Sequence, residues 1–444
     1  MVAALLAAVA SCNRTSGDKT RRGVSVTTTA TPEAGPPVLP GNPTQVSGSS
    51  VKTVVEPHAV SPLELNDDVQ DKFARAHTNF AWSLFRRLAE HQAEENFVYS
   101  PLAIQFALGV VVVGARGAGE NRLARSMAPG VKPEHIYEVM QSWQEQLLRS
   151  MNTPVQPGTE RVGVLKFGNA LWLDDSLQPS SAFVDKMRPH YGFGVFRLPL
   201  RSSTNSALGP INQWISDQTE SRIVQLVKSL TPTEQALLTS VAYFKTKFTS
   251  PFGSVEPEPF SSKTGSSSSV DTMHNVLRAK YVQNLAYQAV ELDLVYGATS
   301  LVSIMPLTGS VSGFARSLTA QKWTQLLTNL EHNKGTLDLH WPKLNLRSRY
   351  DKLQGTLGIP GGPLALPFIA PNCELSSWMH EATFVVSQNG IEVPSAAGTS
   401  AQSAASPDDK DDSSHVIKFD HPFLFAVIHR LTGSILFAGQ VVNP

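Results

Sequence analysis

Cysteine is nearly absent: Cys12 and Cys373 are the only two in 444 residues, far apart and in unlike contexts. That excludes a disulfide framework and a cysteine-built metal site. No apolar run approaches the roughly 20 residues that a membrane-crossing helix needs. An excess of one charge is missing too, because 37 Lys and Arg balance 37 Asp and Glu. Nothing in that balance calls for nucleic acid or an anionic surface as partner. The chain has no Gly-x-Ser-x-Gly elbow, His-Glu-x-x-His, Cys-x-x-Cys or Walker loop. Gly114-Ala115-Arg116-Gly117-Ala118-Gly119 imitates a phosphate loop, but it follows a helix-like apolar run and reads as a helix stop. The 12 histidines include no pair at zinc-ligand spacing on a predicted helix, so no metal and no cofactor is assigned. With no catalytic residue to name, an enzyme is the least supported class.

What the chain does have is apolar content, 41% of its residues, enough for a large core. Met1 to Ala10 is apolar, and Val9-Ala10-Ser11-Cys12 resembles a bacterial lipobox in which Cys12 would become the lipidated first residue. Residues 1–12 therefore read as an export segment, although the basic stretch that normally precedes such a core is missing. An upstream start codon would supply it; the alternative is a frayed terminus with an incidental cysteine. Residues 13–62 are rich in Ser, Thr, Pro, Gly and Val with almost no aromatic residue, too little to offset chain entropy. They read as a disordered tether reaching on the order of 40 Å. The expected location is extracellular, cell-surface or periplasmic, touching a membrane only through lipid on Cys12.

Residues 63–444 carry the folded pattern. Val69 to His91 places Phe73, Phe80, Leu84 and Leu88 at helical spacing. Asn96-Phe97-Val98-Tyr99-Ser100-Pro101 enters a strongly apolar helix, with Ser100 as cap and Pro101 in the first turn. Leu165 to Leu173 alternates as a strand, and Leu238 to Phe248 reads as another. Between them, Ile211-Asn212-Gln213-Trp214-Ile215 with Thr219, Ile223, Leu226 and Val227 reads as one helix. A long stretch of small residues begins at Gly390 and runs to about residue 416. Two apolar runs, from Ile417 to Val427 and from Leu431 to Gly439, follow it and read as a hairpin turning at Thr432-Gly433-Ser434.

Taken together, these landmarks resemble the serpins, a family of serine protease inhibitors, and the resemblance covers the whole chain beyond the tether. It implies an α+β fold of about nine helices around three β-sheets, with a dominant central sheet and an exposed reactive-centre loop. It implies a monomer that inhibits as a suicide substrate: a target serine protease cuts the loop, which then enters the central sheet and carries the acyl-enzyme with it. The alternative is a non-inhibitory serpin, a binding or structural protein whose loop is cleaved without trapping.

The resemblance also assigns residues. The hinge is Gly390, Ile391, Glu392, Val393, Pro394, Ser395 and Ala396. With a period of two, Ile391, Val393 and Ser395 share the face that enters the core, while Glu392 falls on the exposed side. Inhibitory serpins usually carry Thr or Ser where Ile391 stands and small residues at Val393 and Pro394; Pro394 cannot donate to a ladder. An inserted strand of about 15 residues spans roughly 50 Å, which puts the scissile bond at Ala404-Ala405 and suits an elastase-like enzyme. The rival is Lys410-Asp411, which would suit a trypsin-like pocket but lies among acidic neighbours. Beneath the sheet's centre the family links Ser, Asn and His side chains. Here Ser100 and His380 are present, but Ser240 replaces the usual Asn and Ala103 the usual Ser; Phe248 replaces the usual Trp. A reduced network of His380 with Ser240 is one reading, and a satisfied core histidine without control over sheet opening is the other.

Overall fold

The computed structural model describes residues 51–55, 67–152, 163–188, 193–262, 265–295, 299–351, 353–357, 364–392 and 415–444. Helix α1 (Asp67–His91) buries Phe73, Phe80, Leu84 and Leu88 on one face, as their spacing requires, with Asp67 and Asp68 against the positive end of its dipole. Helix α2 (Pro101–Ala115) starts where Ser100 Oγ accepts the Ala103 N–H at 3.2 Å and Pro101 occupies the first turn. Every residue of α2 is buried, the position that a helix apolar on all faces must take. Its stop comes at Arg116, which has φ 48°, and a new helix α3 (Gly117–Met127) follows. Further helices are α4 (Pro133–Asn152), α5 (Ser181–Met187), α6 (Thr204–Gln218), α7 (Val311–Ser317), α8 (Ala320–His332) and the short α9 (Leu353–Thr356).

The strands are β1 (Lys52–Val55), β2 (Phe97–Tyr99), β3 (Val164–Asp174), β4 (Phe193–Leu198), β5 (Ala236–Lys247), β6 (Ser254–Ser261), β7 (Ser267–Gln283), β8 (Tyr287–Asp293) and β9 (Thr299–Pro306). They continue with β10 (Lys334–Pro342), β11 (Leu344–Tyr350), β12 (Leu364–Ala365), β13 (Glu374–Ser387), β14 (Gly390–Ile391), β15 (His415–Lys418), β16 (Phe423–His429) and β17 (Ser434–Val441). The dominant sheet runs β1-β4-β3-β5-β14-β13-β11, with β12 on β13. The smaller sheets form one network, β15-β10-β7-β8-β9-β16-β17-β2, because the 17-residue β7 pairs with β6, β10 and β8 along its length. The terminal hairpin is β16 against β17, antiparallel and buried throughout.

Two sequence expectations change. The stretch 13–62, expected to be a tether, contains a strand, because Lys52–Val55 pairs antiparallel with β4 and Val55 is buried, while residues 1–50, Cys12 among them, and 56–62 lie outside the described residues. Its Val-Lys-Thr-Val-Val stretch is β-branched, and an open sheet edge supplies the partner that composition alone cannot reveal. The helix around Trp214 ends at Gln218 rather than running to Val227. Thr219 Oγ1 accepts the Ile223 N–H at 3.0 Å, and Glu220 and Ser221 both have positive φ, so the chain leaves helical geometry at once. Ile223, Leu226 and Val227 are still buried, because Asn212 reaches from α6 to bond both the N–H (2.9 Å) and the carbonyl (2.8 Å) of Val227.

Those residues belong to a second core. The inner face of the dominant sheet packs on α2 and the smaller sheets, whereas its outer face carries a separate cluster including Trp172, Phe196, Trp214, Ile223, Leu237 and Val241. Both faces near the candidate site are therefore covered.

Candidate functional site

The site lies at one end of the seam between β5 and β13. Along most of that seam the two strands pair directly and in parallel, from Leu375 opposite Ala236 to Ala382 opposite Ala242. Beyond Ala382 they part, and β14 fills the space, antiparallel to both: Gly390 faces Lys247 and Ser387, and Ile391 faces Thr246 and Val386. Gly390 is required there. Its φ is 150°, and a Cβ would sit 2.1 Å from the Thr246 carbonyl oxygen and 2.6 Å from Lys247 Cα. Ile391 is 1% exposed and joins the inner core, as the period-two reading of the hinge requires.

Glu392 corrects that reading in one respect. It does lie on the outer face, but it is buried, only 2% exposed, because the segment after α6 covers that face. Arg222 Nε stands 2.8 Å from its Oε2 as an ion pair outside hydrogen-bond alignment, and Thr383 Oγ1 donates to Oε1 at 3.4 Å. Burial outweighs the Arg222 charge and holds the carboxyl above its ordinary range. The Glu392 N–H still bonds the Val385 carbonyl at 2.8 Å, but its φ of 54° turns the chain out of the strand direction. Val393, Pro394, Ser395, Ala396, Ala404, Ala405, Lys410 and Asp411 lie outside the described residues.

Midway along the closed seam, His380 sits opposite Ser240. Its Nε2 accepts the Ser100 N–H at 3.1 Å, so the ring proton is on Nδ1, which donates to the Ser240 carbonyl at 3.0 Å; Ser240 Oγ lies at 3.3 Å. The ring stacks on Tyr350 at 6.0 Å, and burial depresses its pKa to about 3. A proton on Nε2 would point at the Ser100 N–H, so neutral imidazole is the form this geometry accepts. Ser100 Oγ is engaged elsewhere, with the Leu436 carbonyl at 2.6 Å and the α2 cap. The structure thus brings Ser100, Ser240 and His380 together, joined largely through backbone groups. Asn169 on β3 faces Ser240 from the other side and donates to the Ala103 carbonyl at 3.3 Å; its Oδ1 has no partner among the described residues, and the residue is one of those lining a cavity of about 20 Å³.

Arg222, Thr383 and Asn169 were not singled out from sequence. Reading 211–227 as one helix hid Arg222, and Thr383 and Asn169 are recognisable only once strand register is known. The neighbouring Glu381 is also buried, its carboxyl raised by desolvation despite Arg347 at 2.6 Å. Among the described residues a serine-histidine contact occurs elsewhere, Ser150 Oγ to His429 Nε2 at 3.4 Å. His429 Nδ1 faces the Thr432 hydroxyl at 2.9 Å, which offers no charge to stabilise an imidazolium.

Comparison with known proteins agrees with this architecture. The family model described as Serpin (serine protease inhibitor) matches residues 75–444. Thyroxine-binding globulin of Bos taurus is 26% identical over 399 residues, 84% of this chain and 90% of that protein. An uncharacterised serpin-like protein of Thermococcus kodakarensis is 26% identical over 394 residues, 86% of this chain and 88% of that protein. Among solved structures, tengpin, a thermophilic serpin in the native state, superposes with a TM-score of 0.74 at 20% identity, covering 88% of this chain and 97% of that one. Among the described residues no helix is long and apolar enough to cross a membrane. A match to the family model over residues 75–444 means that this chain belongs to the serpin family.

Proposed function

We propose that this serpin inhibits a serine protease as a suicide substrate, by inserting its cleaved loop between β5 and β13. The observation that carries the reading is the wedge of Gly390 and Ile391, already paired to both strands at the head of an otherwise closed seam. Insertion would extend β14 by exchanging the parallel β5–β13 ladder for two antiparallel ones, so each strand keeps a partner while the layer gains backbone hydrogen bonds. Conformational energy is released after the protease is covalently attached, which is why no catalytic group of the serpin's own is needed. His380 and its partners would govern how readily the seam parts. Ala404-Ala405 is the favoured scissile bond and Lys410-Asp411 the rival; an elastase-like enzyme is the favoured target of a monomeric, exported inhibitor.

The test is incubation with an elastase-like protease followed by a denaturing gel. An SDS-stable band of summed mass is expected, and sequencing the released C-terminal fragment places the cut. Melting before and after cleavage should show a large gain in stability. A clipped product alone, with unchanged melting, favours a second reading, a non-inhibitory binding protein. Pro394 within the hinge supports that second reading, as does similarity to proteins named for binding thyroxine. Binding of thyroxine by the intact chain, measured directly, would support it further.

A further inference from the structure

We propose that His274, Asp338 and His340 form a binding site for a borderline divalent transition-metal ion, with zinc the best match, on the sheet that anchors the far end of the loop. His274 on β7 and His340 on β10 are direct cross-strand neighbours, and Asp338 lies two residues before His340 and so on the same face. One donor atom from each lies within 4.8 Å of the others. All three side chains are partly exposed, so an ion can reach them from solvent.

The donor atoms are turned toward one another. His340 Nδ1 stands 2.6 Å from Glu258 Oε1, and a carboxylate only accepts, so Nδ1 carries the hydrogen. His340 Nε2 faces Asp338 Oδ1, 3.4 Å away. His274 Nε2 approaches the same oxygen at 2.6 Å, and the two rings are 4.5 Å apart. One cation shared among the three donors would satisfy the Asp338 carboxylate and both ring nitrogens that face it at once. Two ligands each about 2.0–2.1 Å from a tetrahedral zinc stand about 3.3 Å apart. The His340–Asp338 edge already has that length, and the His274–Asp338 edge needs only a small opening. Two imidazoles and one carboxylate suit zinc better than calcium or magnesium, and leave a fourth position for water or a partner's ligand. Glu258 then has the role of an outer carboxylate that fixes the tautomer and orientation of a ligating histidine. The consequence is local: β10 pairs in register with β15, Asp338 beside Val416 and His340 beside Lys418, so a bound ion would brace the strand to which the loop returns.

The test uses the full chain without a histidine tag, stripped with chelator and titrated with zinc chloride in a calorimeter. One zinc per chain at micromolar or tighter affinity is expected, with no comparable heat from magnesium or calcium. His274→Gln and His340→Gln should each weaken binding at least tenfold, and Glu258→Gln by about 10–100-fold. Cobalt(II) bound to the unmutated chain should give the intense visible bands of a tetrahedral ion, a readout that survives if a variant fails to fold. Absence of saturable zinc binding, weak octahedral cobalt bands, or affinity unchanged in both histidine variants would overturn the assignment.

Discussion

On the proposed mechanism, strand β5 has one neighbour that stays and another that gives way. Toward β3 it pairs antiparallel over ten consecutive positions, from Leu173 opposite Ala236 to Val164 opposite Lys245. That side is clamped from outside by Trp172, stacked on Phe196 at 4.9 Å and set edge-on to Trp214 at 5.6 Å. Trp172 Nε1 also donates to Thr239 Oγ1 at 2.9 Å, crossing from one strand to the other. Toward β13 the pairing is parallel, shorter, shifted in register near Leu375, and ends at Ala382 where the hinge intrudes. Midway along it the side-chain link is the neutral His380, with Gln235 and Ser376 bridging its start. The difference teaches that loop entry as proposed would need to open only one seam, leaving the adjoining ladder intact.

The largest expected effect lies on the permanent side. Trp214→Ala should cost about 3–5 kcal/mol, the usual range for a deleted buried aromatic, and should be seen as a lowered melting temperature. If the two sides of β5 are separate, the fraction of protease trapped by the folded protein should not change. A shift in that fraction as large as those from seam variants would break the distinction.

On the replaceable side, His380→Ala strands the Ser100 N–H and should cost about 2–3 kcal/mol, while speeding loop entry. Acid is the complementary probe. The pKa of His380 is depressed by burial to about 3, and those of His77 and His429 to about 4. The folded protein therefore binds fewer protons than the unfolded chain between those values and 6.5. Their contribution is complete above pH 6.5 and is lost as pH falls toward 3–4, amounting to about 3–5 kcal/mol for each histidine. Glu381 and Glu392 act oppositely: burial raises both, so acid relieves rather than penalises them. Both are paired with arginine, which limits that relief, and the histidines should dominate. Thermal melts from pH 7 to 4 should fall steeply for the unmutated protein and less steeply for His380→Ala. Equal slopes would remove His380 from the account.

How far these features were legible follows from what each depends on. The cap of α2, the inward face of the hinge at Ile391 and the terminal hairpin are set by neighbours a few residues away, and local pattern was enough. The meeting of Ser100, Ser240 and His380 was reached through family resemblance rather than spacing. The cover over Glu392 depends on a segment 170 residues earlier that leaves the helix at Thr219, where side-chain bonds replace the period that would have shown it. The pairing of β1 depends on a free sheet edge. The cluster of His274, Asp338 and His340 depends on β7–β10 register, so a search for helical histidine spacing passes over it.

Glu392→Gln sharpens the description of the hinge. Burial outweighs the Arg222 attraction at this carboxyl, so a neutral isostere should hold β14 in place slightly better, within about 1 kcal/mol. Arg222→Ala should do the reverse by leaving a buried charge unpaired. Differential scanning calorimetry of the pair checks the sign, and a lowered melting temperature for Glu392→Gln would mean that the ion pair is the stronger influence.

Pro394→Ala should alter native stability least, within about 0.5 kcal/mol, yet it bears most directly on the seam. Two residues beyond Glu392, a proline would have no N–H to give if β14 lengthened between two strands, so insertion as proposed would meet its missing hydrogen bond almost at its first step. Trapping is a race between insertion and hydrolysis of the acyl-enzyme, and a delay at the start favours hydrolysis. Restoring the donor should raise the SDS-stable fraction and lower the number of inhibitor molecules consumed per protease, with the melting temperature nearly fixed. If the fraction does not move, entry is limited elsewhere in the hinge. Ile391, already locked into the inner core, is then the next residue to change.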